Sequence, residues 1–141
     1  MLSASIQMNA MQPKNGVEEA PKALLEAGLE QQLHGLGWTV FDHSPADSIF
    51  APQSGSSDKP SMMGKLKNVP EVARVTRAVS DAVFAVHKQG AIALTIGGDH
   101  SLGVGTVSGT VRAFRDKSEV AVIWVDAHAV WPRGVRWMLM R

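Results

Sequence analysis

Ala91-Ile92-Ala93-Leu94-Thr95-Ile96-Gly97-Gly98-Asp99-His100-Ser101 is the stretch on which the fold turns. Its apolar run shows no alternation, as expected of a strand buried on both faces of a parallel sheet. Two glycines end it, and an Asp, a His and a Ser follow at once. A second stretch repeats the plan, with Val120-Ala121-Val122-Ile123-Trp124-Val125 running into Asp126-Ala127-His128-Ala129. If both runs are strands of one parallel sheet, both clusters emerge at its carboxyl edge, where open α/β sheets build their ligand sites.

Between these runs, residues 102–115 read as a crossover helix weakened by Gly103, Gly105 and Gly109. Upstream, Pro70 suits a first helical position, and Val72, Val75, Val79, Val83 and Val86 recur on one helical face until Gly90 stops it. Residues 42–67 are rich in Ser, Pro, Asp and Gly, with Gln53-Ser54-Gly55-Ser56-Ser57-Asp58 the most linker-like part, and suggest a long surface excursion. Residues 18–36 read as a helix with Glu18, Glu19 and Pro21 in its first turn and an apolar stripe of Leu24, Leu25, Leu29 and Leu33. Gly35 and Gly37 end it, and residues 38–41 form a short strand. Gln12-Pro13-Lys14-Asn15-Gly16 is turn chemistry. In residues 1–11, Leu2, Ala4, Ile6, Met8 and Ala10 share one parity. A half-buried strand and a loose tail both fit that pattern, and the terminal position favours the tail. The element order predicts a layered α/β domain with right-handed crossovers.

Composition narrows the function classes. The 141 residues are 45% hydrophobic and 19% charged, the balance of an ordinary globular domain. A net charge of +1, without a basic patch, argues against nucleic acid or an anionic membrane as partner. With no cysteine there is neither a disulfide framework nor a thiolate metal site, so oxygen and nitrogen must hold any metal. No apolar run approaches the ~20 residues of a membrane span. Residues 1–11 lack the features of a secretory or mitochondrial leader, and the expected location is cytoplasmic.

Asp126 and His128 stand two apart, hence on one side of an extended segment. A carboxylate can bridge two ions while an imidazole nitrogen serves one, which makes Asp126 the bridging candidate and His100 and His128 the terminal ones. Such a donor set suits Mn²⁺, Fe²⁺, Co²⁺, Ni²⁺ or Zn²⁺, and more carboxylate draws the choice towards Mn²⁺. Two ions bridged by water would supply a nucleophile at neutral pH. Simpler readings exist: Asp99, His100 or Ser101 could cap the following helix, and Asp126 and His128 could belong to a strand-end turn. The pairing of two such clusters at strand ends favours a site. Gly103-Val104-Gly105 is a weak nucleotide signal, because the third glycine is mis-spaced and falls within the helix. His34, His43 and His87 lack spaced partners and are expected on the surface.

At the residues 97–101 and Val122-Ile123-Trp124-Val125-Asp126-Ala127-His128-Ala129, the chain resembles the arginase family of the ureohydrolase superfamily. The segments 12–21 and Gly105-Thr106-Val107-Ser108-Gly109 resemble arginase, of fungal type, more specifically, and the likeness covers residues 12–129. It implies a three-layer α/β/α fold with a parallel sheet, of which only the N-terminal part is present, and in which the strands matching residues 38–41, 91–96 and 120–125 are not neighbours. It also implies manganese-dependent hydrolysis of L-arginine to L-ornithine and urea by a homo-oligomer. On the matching positions, His100, Asp126 and His128 are implied metal ligands, with Asp126 bridging and Asp99 in a supporting role behind them. No catalytic or substrate-binding residue carries over. Val130 stands where the family has a further ligand Asp, and the remaining ligands and substrate contacts lie in a part that this chain does not contain. The chain is therefore expected to divide into a divergent tail at 1–11 in place of the family's first strand, a partial arginase-like domain at 12–129 and a non-family tail at 130–141. As it stands it should be weak or inactive. The alternatives are another ureohydrolase such as agmatinase, or a non-catalytic fragment that binds full-length subunits.

Overall fold

The computed structural model describes residues 2–6, 16–43, 62–64, 66–116 and 119–126. The turn at 12–15, the linker-like 53–58, His128 and the tail 130–141 lie outside the described residues. Three strands make a parallel sheet: β1 (Leu2–Ile6), β2 (Phe41–Asp42) and β5 (Ala93–Gly97), in the order β2-β1-β5. β1 is therefore a central strand, which corrects the expected tail and supplies the strand expected to be absent. It pairs along its whole length with β5, from Leu2 opposite Ala93 to Ile6 opposite Gly97, and Leu2 and Ser3 pair with Phe41 and Asp42 on its other side. Hydrogen bonds on both flanks hold a segment that terminal position alone would leave free.

The helix expected at 18–36 is broken in two. A 3₁₀ turn at Val17–Glu19 leads into α1 (Ala20–Glu26), and α2 (Leu29–Gly35) follows after Gly28. Gly28 has φ of 90°, a left-handed conformation that a glycine enters without the Cβ clash other residues meet. Leu24 and Leu25 are exposed, so the leucine stripe is not a buried seam. Two short strands of the excursion, β3 (Met62–Met63) and β4 (Leu66–Lys67), pair antiparallel to each other.

α3 (Val69–Lys88) carries the core. Pro70 sits in its first turn, and Lys88 occupies its last turn, where a cation suits the helix dipole. Val75, Val79 and Val83 recur every fourth residue, all buried, and with Leu102 they form the apolar centre against which Val72 and Ala93 pack. α4 (Leu102–Phe114) lies along α3. A Cβ added to Gly105 would fall 2.7 Å from the Thr76 carbonyl oxygen, and one on Gly109 would fall 2.6 Å from that of Ser80. These glycines, which lower helix propensity, are what lets the two backbones approach.

Side chains stitch the helices together. Arg112 donates to Ser80 Oγ at 3.0 Å and to Asp81 Oδ1 at 2.6 Å, with its guanidinium over the Phe84 ring. His87, expected on the surface without partners, is half-buried: Nδ1 lies 3.2 Å from the Ala91 carbonyl, Nε2 3.2 Å from Thr110 Oγ1, and the ring rests against Phe114. Its partners come from the next loop and the next helix, so spacing along one helix could not reveal them. His34 is exposed, near Glu30 and the Trp38 carbonyl, while His43 is half-buried.

Residues 120–125 are a second correction. The expected strand belongs to no ladder among the described residues. The run is nevertheless two-sided: Ile123 and Val125 are 90% and 92% exposed, whereas Val122 and Trp124 are about half as exposed, at 45% and 46%. An extended segment lying against the domain by one face has this signature. Among the described residues no helix is long and apolar enough to cross a membrane.

Candidate functional site

β5 ends at Gly97 and α4 begins at Leu102, so the four residues between, Gly98, Asp99, His100 and Ser101, form a tight strand-to-helix turn. Asp99 and Ser101 are buried. Asp99 Oδ1 accepts from the Ser101 amide at 3.0 Å and from the Ser101 hydroxyl, which closes the turn on itself. Backbone bonds from Leu102 to Asp99, Gly103 to His100 and Val104 to Ser101 continue it into the first turn of α4. The capping reading is thus met in part: Asp99 ties the turn, while Ser101, the residue at the cap, makes no side-chain cap bond to the helix.

With both neighbours turned inward, His100 is left on the outside. Its side chain is 51% exposed and its Nδ1 lies 3.8 Å from Asp126 Oδ2, whose side chain is 19% exposed. Two of the three expected ligands, from different apolar runs, therefore meet beyond the carboxyl end of β5. Metal bonds to imidazole nitrogen and carboxylate oxygen are about 2.1 Å long, so two donors at 3.8 Å are within reach of one shared cation. The same pair makes an ion pair whenever His100 is protonated. Among the described residues no group of three or more His, Cys, Asp or Glu side chains converges. The donor set fits a divalent cation as far as it goes, with one imidazole and one carboxylate.

Trp124 was no part of the expected site. Its ring centroid lies 5.0 Å from that of His100, tilted by 52°. The far edge of the indole rests on Gly103, where an added Cβ would fall 2.8 Å from Cη2. The signal available in the sequence was its spacing: Trp124 precedes Asp126 by two and shares its side of an extended segment.

Comparisons with known proteins bear on this arrangement. The arginase family model matches residues 3–131. An arginase of Glaciozyma antarctica is 45% identical over 118 residues, which cover 84% of this chain and 33% of that protein. Mouse arginase-1 is 37% identical over 117 residues, covering 83% of this chain and 33% of that protein. Among solved structures, an Entamoeba histolytica arginase in complex with L-ornithine superposes with a TM-score of 0.73 and 28% identity, covering 90% of this chain and 40% of that one. A Bacillus subtilis arginase gives a TM-score of 0.62 at 28% identity, with 34% of its length covered. The chain spans about a third of the length of the relatives it matches, and its fold class is as expected, an incomplete α/β fold of the kind these arginases share.

Proposed function

The chain belongs to the arginase family, and from that premise we propose that it carries part of a manganese-dependent amidine hydrolase whose substrate is L-arginine and whose products are L-ornithine and urea. The observation behind this reading is the 3.8 Å approach of His100 Nδ1 to Asp126 Oδ2 just past the end of a parallel strand. His100, Asp126 and His128 would hold Mn²⁺, with Asp126 as the bridging carboxylate. The ions, when bound, supply a Lewis acid and make water a nucleophile at neutral pH. Asp99 supports the ligands from behind, since its bonds to Ser101 fix the turn that turns His100 outward. The partial domain, with β1 as part of it, would sit in the cytoplasm, where a chain without cysteine loses nothing to reduction.

Three ligands are fewer than a two-ion site needs, so this chain alone should hold Mn²⁺ weakly and release little urea. A second reading is a non-catalytic fragment that binds full-length subunits, and the outward Ile123 and Val125 favour it. Agmatinase activity remains the alternative within the superfamily. The test titrates Mn²⁺ into the purified chain and into His100→Ala and Asp126→Ala, followed by the electron paramagnetic resonance of the free ion, with urea release from arginine and agmatine measured alongside. Each substitution should abolish what binding there is, and urea should stay at the level of a metal blank. Unchanged binding in both variants would remove these residues from the site. Two tightly bound ions per chain would overturn the expectation of weakness, and co-purification with an intact arginase would support the fragment reading.

A further inference from the structure

We propose that Trp124 is a positioning residue that holds His100 and Asp126 in register with each other. The proposal rests on the reading of that pair as metal ligands only for what the pair does, and on geometry for how it is held. Among the described residues, 120–126 belong to no ladder, and what the segment shows there is its packing on the domain. The segment touches the domain through one face, and Trp124 is the large side chain on that face. Its indole meets the His100 ring in a tilted contact of 5.0 Å, an arrangement aromatic pairs prefer, and this restricts the rotation of an imidazole that is otherwise half exposed. Asp126 follows two residues later on the same side, so a fixed Trp124 also fixes the direction from which Asp126 approaches.

Gly103 completes the device. The would-be Cβ there lies 2.8, 3.4 and 3.9 Å from Cη2, Cζ3 and Cζ2 of Trp124. The indole edge therefore lies directly on the backbone of α4, in the space a side chain would take. Gly105 and Gly109 face α3, so the three glycines of α4 divide their work: two seat the helix on its neighbour, and one receives the tryptophan. The residue between the metal-facing histidine and the helix packing surface is small because a ring from another segment rests on it.

The experiment needs no bound metal. In the full chain, the His100 ring protons should show nuclear Overhauser contacts to the indole and a ring-current shift. Trp124→Ala should remove both, and Trp124→Phe should keep most of the shift. Gly103→Ala keeps the tryptophan and favours the helix, yet should move the His100 signals by displacing the indole. Ile123→Ala, on the exposed face, should change nothing. With Mn²⁺ as probe, Trp124→Ala and Gly103→Ala should weaken binding roughly ten-fold, the lower end for loss of a residue that orients a ligand, with the Phe variant near native. His100 signals that are the same in native, Trp124→Ala and Gly103→Ala chains would overturn the proposal. A native chain that binds no Mn²⁺ but whose His100 signals respond as described supports the positioning role and counts against the proposed function instead.

Discussion

β5 and the segment 120–125 are both apolar runs that lead into an Asp and a His, yet they have different fates. In β5, Ile96 is buried and Ala93 packs on the valines of α3, with β1 bonded along the flank. In the second run, Ile123 and Val125 stand in solvent and no strand pairs with the run among the described residues. An apolar run is therefore only a candidate for a strand. What makes it one is a neighbour to satisfy its amides and carbonyls and a helix to cover its face.

Substitutions can break that contrast or sharpen it. The largest effect should come from Gly109→Val, which drives a branched side chain into the Ser80 carbonyl and pries α4 from α3, the helix whose valines receive Ala93 of β5. Overpacking against backbone should cost about 3 kcal/mol, read as a lower urea midpoint. Ile96→Ala follows at roughly 2–3 kcal/mol, through the cavity it leaves in a strand packed on its neighbours. Val125→Ala, the matching truncation in the other run, should fall within about 0.5 kcal/mol, as surface changes do. Equal losses for Ile96→Ala and Val125→Ala would erase the distinction between the two runs.

What was legible in the residues follows the same division between local and distant causes. The valine stripe and Pro70 announce α3, because periodicity and a preset φ act within one element. Gly28 breaks the leucine helix through its own backbone, but it sits within an apolar stripe that masks it. β1 is ambiguous in the residues because its partners are residues 41–42 and 93–97, and nothing near Leu2 says so. At the site, His100 and Asp126 could be read from their place after two apolar runs. For Trp124 the spacing from Asp126 gives only its side of the segment, since its contact with Gly103 exists only in the packed chain. His87 hid for the same reason, with its partner Thr110 on the other helix.

The central position of β1 has a consequence for how the molecule is made. Its pairing with β5 joins residues roughly ninety positions apart, so the loop closed by that contact is most of the chain. α3 and α4, by contrast, are separated only by residues 89–101, β5 among them, and can associate through far more local contacts. The middle of the sheet leaves the ribosome before β5 and must wait for it before it has its longest ladder. Until then the edge of Leu2–Ile6 that β5 will cover is bare, the time in a protein's synthesis when a holdase or a wrong partner finds it most easily.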